Sequence, residues 1–185
     1  MTIISSTKTS CMKKLLFASI VSLLVMACSD KEKKEGDTSK KNDEMKALYE
    51  KNLATLKTSI AAFEKKDLEG WAASVADNAV WHSPAYGDTV TTKAHWKEAL
   101  KYYIDNWDNL KLNNGNFLPG IDSTTHELDG SVRYYGWWDA VHKSGVATHV
   151  NFYGTYDFNK DNKVTAGFEF FDVGGLMNAV QPKSK

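Results

Sequence analysis

The hydrophobic period of this chain changes once, at Asp108, and that change limits the folds open to it. Before it, apolar residues recur every three or four positions. Met45, Tyr49, Leu53, Leu56, Ile60 and Phe63 form one stripe, with Asn42 and Asp43 ahead of them as cap candidates. The spacing predicts a long amphipathic helix. Asp67 can cap a short second helix, and Asn78 to Ser83 reads as a strand closed by Pro84. Thr92 can cap a third helix, in which Trp96, Leu100, Tyr103 and Trp107 make a broad apolar stripe. After Asp108 the pattern alternates instead: Leu110 to Leu118, Thr125 to Leu128, Ser131 to His142, Val146 to Phe158 and Val164 to Asp172. Turn signals at Pro119-Gly120, Asp129-Gly130, Ser144-Gly145 and Asp161-Asn162 separate these runs. Early helices followed by a long-stranded meander predict an α+β domain, with the N-terminal helices packed on a curved antiparallel β-sheet.

The chain is longer than such a domain needs. Leu15 to Ala27 is apolar, follows Lys13 and Lys14, and is shorter than the roughly 20 residues of a comfortable membrane span. It reads as a secretory signal over residues 1–27, with Met12 as the natural start. Val25-Met26-Ala27-Cys28 is similar to the lipobox of bacterial lipoproteins, which implies acylation of Cys28 and a lipid anchor in the cell envelope. A plain signal peptide ahead of an incidental buried cysteine is the alternative. The Ser29-Asp30 pair after that cysteine resembles an outer-membrane sorting context. Residues 28–43 are charged and small, with nothing to bury, and read as a flexible stalk. The domain is then expected over 44–180, with a short tail at 181–185.

Charge narrows the partners. The full chain balances 23 basic against 23 acidic residues; loss of Lys8, Lys13 and Lys14 with the signal leaves 20 against 23. A nucleic-acid partner is therefore not expected. The five histidines show neither H-x-H nor H-E-x-x-H spacing, so no metal site is expected. No elbow surrounds a serine and no Gly-rich loop opens a helix, and a cofactor-free protein is expected. Asp157, Asn159 and Asp161 have the first spacings of a calcium loop, but Asn162 stands where the glycine belongs and Phe168 where the last ligand belongs. A hairpin loop Lys160-Asp161-Asn162, with Asn162 left-handed and a bulge behind it, accounts for the segment better. That hairpin pairs Phe158 with Val164, Tyr156 with Ala166, Gly154 with Phe168, Phe152 with Phe170 and Val150 with Asp172.

Helix, short helix, strand, helix and long antiparallel strands, ending in Phe-Asn-Lys-Asp-Asn-Lys-Val and then Glu-Phe-Phe-Asp-Val-Gly-Gly-Leu, resemble the nuclear transport factor 2-like superfamily, and its SnoaL-like branch most. The resemblance runs from about Glu44 to Val180. It implies a cone in which the sheet wraps the long helix around an apolar cavity. Its members include cyclases, isomerases, dehydratases, epoxide hydrolases and non-catalytic domains, so fold alone leaves function open. Asp172 matches the strand-end aspartate that serves as acid/base in some SnoaL-like cyclases.

On the hairpin register above, Asp172 shares a face with Phe168 and Phe170, where burial would raise its pKa. Its alternative role is to cap the turn before Gly174-Gly175. His82 reaches the cavity if Val80 faces the helices, and otherwise packs as a hydrogen-bonded histidine. Asp139 turns inward beside Asp172 if the Ser144-Gly145 loop has two residues; a bulge reverses its face. Trp81, Trp137, Phe152, Tyr156, Phe168 and Phe170 are the expected ligand contacts, although tryptophans at such spacings also serve as core. The opposite face, with His149, Asn151, Tyr153 and Thr155 joined by Glu169 and Phe171, is expected to be polar or to form a homodimer. A small, mostly apolar ligand in the cone is the first functional expectation. A cofactor-free isomerase, cyclase or dehydratase using Asp172 is the second, and a non-catalytic assembly module the third.

Overall fold

In the computed structural model, residues 40–87 and 90–182 are described. Cys28, the signal segment and most of the stalk lie outside them. The described residues from Glu44 onward pack as one unit.

Residues 40–64 are helical (α1), and the predicted stripe is its buried face, with Tyr49, Leu53 and Leu56 each at 9% exposure or less. One short polar residue shares that face for a reason. Asn52 donates to the Gly130 carbonyl (2.8 Å) and accepts from Asn162 Nδ2 (2.7 Å), so a single buried amide ties the helix to the strand around Gly130 and to the turn at Asn162. α2 (Leu68–Ala73) is capped by Asp67, whose carboxylate accepts from Gly70 N at 2.8 Å. α3 (Lys93–Asn106) is capped by Thr92. Both caps are those the sequence predicts.

Six strands follow the order β2-β1-β6-β5-β4-β3: β1 (Val75–His82), β2 (Val90–Thr92), β3 (Trp107–Ile121), β4 (Leu128–His142), β5 (Ala147–Phe158) and β6 (Val164–Phe170). The α+β class is as expected. The sheet is mixed rather than wholly antiparallel, because β1 enters beside β6 in parallel. The expected strand at Thr125 to Leu128 is mostly turn, with only Leu128 belonging to β4. Three register shifts along the β3–β4 pair, with Asn109 (φ 57°) and Asn114 (φ 52°) left-handed beside them, let two 15-residue strands bend. β6 stops at Phe170, short of the expected Asp172, and a last helix, α4 (Val173–Val180), follows where the sequence reading placed no element. Its Leu176, Met177 and Val180 pack with Trp107, Leu110 and Tyr103.

Two hairpins decide which residues face inward. In β4–β5 the loop is Lys143-Ser144-Gly145, with Gly145 at φ 88° in the left-handed region that favours glycine. This three-residue loop pairs Asp139 with His149 and Gly136 with Phe152, which is the bulged register. In β5–β6, Asn162 is left-handed (φ 57°) and Phe158 pairs with Val164, as expected. One residue further on, the register slips: Asp157 pairs with Ala166, Thr155 with Phe168 and Gly154 with Glu169. Thr165 is the extra residue, and every side chain beyond it exchanges faces.

Candidate functional site

Between the helices and the inner sheet face lies a cavity of about 120 Å³. Leu56 and Phe63 of α1, Trp96 and Leu100 of α3, Phe152 and Tyr156 of β5, and Leu176 of α4 are among its walls. It is overwhelmingly apolar and aromatic, and its size is close to the roughly 150 Å³ of an engineered apolar cavity that takes up benzene.

Trp96 is the centre of the aromatic wall. It is 2% exposed, stacks on Trp81 (5.9 Å, 1°) and Tyr156 (6.3 Å, 12°), and meets Trp71 edge-on (5.3 Å, 74°). Its ring reaches the sheet only because residue 167 is glycine: a Cβ there would stand 2.3 Å from Trp96 Cη2.

Glu169 is the one acidic side chain on the cavity wall. The Thr165 bulge turns it inward. Its carboxylate accepts from Trp81 Nε1 (3.0 Å) and from the Tyr156 hydroxyl (2.9 Å). Burial penalises its charged form and raises its pKa from 4.5 to about 7, against the opposing pull of Tyr156, Trp81 and Trp96, which steady the ionised form. Desolvation first, and then the Glu169 charge, push Tyr156 and Tyr134 well above the usual phenol range. Tyr103, half-buried on the cavity wall, is raised to about 12, chiefly by desolvation. Trp138 Nε1 donates to the Tyr134 hydroxyl at 3.3 Å, and the rings of Tyr134 and Tyr156 stack at 5.8 Å. A single carboxyl able to hold or release a proton near neutral pH, in an aromatic chamber, can serve as general acid or base.

The residues singled out from the sequence divide between the two faces. Phe152 and Tyr156 line the cavity, and Trp81 stands behind Glu169 as its hydrogen-bond donor. Asp172 does not reach it. That residue is exposed and caps α4, accepting from Gly175 N at 2.7 Å, so the burial expected of it is absent. His82 is turned outward because Trp81, not Val80, faces the helices; Val80 is 38% exposed. The His82 ring stacks on Phe168 at 3.7 Å, outside the cone. Phe168 and Phe170 moved outward with the bulge, and Phe170 is 55% exposed. Trp137 and Asp139 are outward as well. Trp137 stacks on His149 (4.1 Å, 8°), and Asp139 is hydrogen-bonded by His149 Nδ1 and by Asn113 Nδ2 (2.6 Å). The His149 bond and then the Asn113 bond hold the Asp139 carboxyl below the usual range. Conversely, Glu169 and Phe171, expected on the outer face, belong to the cavity wall. The signal that would have exposed Glu169 is weak: Phe168 and Phe170 of β6 face outward while Phe171, just past its end, faces inward, so alternation does not say which side is the core.

Among the described residues no three His, Cys, Asp or Glu side chains converge as a metal ion would require.

Comparison with known proteins agrees with this geometry. The family model of the SnoaL-like domain matches residues 56–173. Among solved structures, a candidate isomerase from Bacillus subtilis superposes with a TM-score of 0.60 at 17% identity, over 71% of this chain and 94% of that one. A candidate polyketide cyclase from Xanthomonas campestris pv. campestris gives 0.59 at 12% identity, over 72% and 99%. The epoxide hydrolase/cyclase-like enzyme SalBIII, studied for pyran ring formation in the polyether salinomycin, gives 0.56 at 14%, over 68% and 93%. At these identities the likeness is one of fold. No curated protein matches by sequence. With the cone, its hollow and a family match over well more than half its length, the chain belongs to the SnoaL-like domain family.

Proposed function

We propose that this domain takes a small, mostly apolar molecule into its cavity, and that Glu169 exchanges a proton with it without a cofactor, as an isomerase or cyclase would. The observation that carries the reading is the inward carboxyl of Glu169, held by Trp81 and Tyr156 with a pKa near 7. The isomerase and cyclase assignments of the structural neighbours support the reaction class and leave the substrate open. Asp172, as a helix cap, has no part in it.

Two measurements test the proposal. Native mass spectrometry of protein purified from its own membrane should show a bound small organic molecule. The ¹³C resonance of the Glu169 carboxyl should titrate near neutral pH; titration near 4.5, its ordinary value, removes the proton-transfer half and leaves only a binder.

The domain is further proposed to be displayed on the cell envelope through an acylated Cys28, in the outer membrane. Support comes from the apolar Leu15 to Ala27 run, the Val25-Met26-Ala27-Cys28 sequence and the charged stretch after it. Metabolic labelling with an alkyne fatty acid, abolished by Cys28→Ser, is the expected result.

A further inference from the structure

Four side chains form a hydrogen-bonded series across the inner face of the sheet, from Trp138 and Tyr134 on β4 through Tyr156 on β5 to Glu169 on β6. Trp138 Nε1 donates to the Tyr134 hydroxyl (3.3 Å), and the Tyr156 hydroxyl donates to Glu169 Oε1 (2.9 Å). Between these two bonds the Tyr134 and Tyr156 rings stack at 5.8 Å and 10°, and their hydroxyls are hydrogen-bonded to each other. Both phenols are buried, so neither can turn to bulk water for a partner.

Counting hydrogens fixes the direction of the series. An indole nitrogen only donates, so the Tyr134 hydrogen cannot serve Trp138. Tyr156 has one hydroxyl hydrogen and gives it to Glu169, so in its bond with Tyr134 it accepts. Tyr134 is therefore the donor to Tyr156, and all three bonds run toward the carboxylate. Each donor polarises the next, and the last of them meets an anion. The reverse direction is closed. For Tyr156 to accept from a protonated Glu169, its hydrogen would have to pass to Tyr134, whose own hydrogen would then point at an indole that takes none. The carboxyl's other partners, Trp81 Nε1 (3.0 Å from Oε2) and the Trp96 indole, are donors only. A proton on Glu169 thus has no acceptor among the side chains bonded to it and is presented to the cavity. Among the described residues no Lys, Arg, His or second acid lines that cavity, and Tyr103 of α3 is the remaining titratable group on its wall.

We infer that Tyr134, held by Trp138, is a positioning residue for Glu169: by donating to the Tyr156 oxygen it keeps the Tyr156 hydrogen on the carboxyl, so that a proton taken up by Glu169 is held where a molecule in the cavity can receive it. The inference rests on the proton-transfer reading above and names what directs that proton.

The test reads the ¹³C titration of the Glu169 carboxyl in the full chain and in Tyr134→Phe, Trp138→Phe, Tyr156→Phe and the double variant Tyr134→Phe/Tyr156→Phe. Phenylalanine keeps the ring of tyrosine, so a purely structural role for Tyr134 leaves the titration in place. Loss of the Tyr134 hydroxyl weakens the Tyr156 donor and frees the Tyr156 oxygen to accept from the protonated carboxyl, and both effects favour the protonated form. The proton affinity of Glu169 should rise about twofold to fivefold, an upward shift of about 0.3 to 0.7 pH unit. Trp138→Phe should shift it the same way, because the Tyr134 hydrogen is then free to turn aside, and this variant decides the matter if Tyr134→Phe fails to fold. In the Tyr156→Phe background the Tyr134 substitution should add nothing, since its influence passes through the missing hydroxyl. A parent titration near 7 that neither Tyr134→Phe nor Trp138→Phe moves overturns the inference and leaves the acid/base reading standing. A Tyr134→Phe shift that persists in full without the Tyr156 hydroxyl overturns it as well. A parent that titrates near 4.5 removes the proton-transfer reading and the inference together.

Discussion

Replacing Glu169 by glutamine should change how stability depends on pH while leaving its value in acid almost untouched. In the unfolded chain the carboxyl ionises near 4.5, whereas in the folded domain it holds its proton to about 7. The folded form therefore binds the proton more tightly. Stability that is fully present below 4.5 is lost progressively as pH rises toward 7, and none further is lost above that. At roughly 1.4 kcal/mol per tenfold change in proton binding, the loss is about 3 kcal/mol. Glutamine is neutral throughout and suffers no such loss. Both forms face the same donors, Trp81 Nε1 and the Tyr156 hydroxyl, so the amide keeps an acceptor for one of them and meets the other with its NH₂. That mismatch lowers the variant by a constant amount at all pH values. The slope is free of that constant: the stability of the variant minus that of the parent should rise by about 3 kcal/mol between pH 4.5 and 7.5 and then level off. Urea unfolding followed by tryptophan fluorescence at half-unit pH steps reads this directly. A difference that stays flat across the window would show that Glu169 is solvated, and the acid/base assignment would go with it.

Other substitutions bear on the neighbouring parts. Tyr156→Phe removes a hydroxyl that donates to the carboxylate, so the Glu169 titration should move further upward, seen in its ¹³C resonance. Asp172→Ala should cost about 1 kcal/mol by removing the α4 cap, with Asp172→Asn largely restoring it and neither altering the Glu169 titration; a change in that titration would contradict the capping role. Gly167→Ala drives a methyl group into the Trp96 ring and should destabilise by about 1–3 kcal/mol in thermal melts. The outer face exposes Tyr135, Tyr153 and Phe170, and light scattering should find a dimer that Phe170→Glu dissociates; a monomer at high concentration would dispose of that interface.

Much of the fold is legible in the residues because its elements depend on local periodicity. The stripe from Met45 to Phe63, the caps Asp67 and Thr92, and the left-handed Asn162 are each determined by near neighbours in the chain. The site is a different matter. Whether Glu169 or Phe168 looks inward depends on a single unpaired residue, Thr165, and whether Asp139 does depends on a loop of three residues instead of two. Both are decided by how strands seat against the helices. Alternation was a poor guide in β6 because its outward aromatics find partners of their own: Phe168 on His82 and Phe170 against Tyr153. α4 is not legible in the sequence because Gly174 and Gly175 resemble the end of a strand more than the first turn of a helix, and only the Asp172 cap and packing against Trp107 and Tyr103 secure it.

Leu176 makes the final helix a piece of the cavity wall rather than an appendage to the sheet. An eight-residue helix that begins with two glycines in its first turn has little internal cohesion and persists through what it rests on. One stretch of the cavity lining is therefore held by the Asp172 cap and by packing against Trp107 and Tyr103 rather than by the helix itself, so a substitution in that support reaches the hollow without touching the sheet.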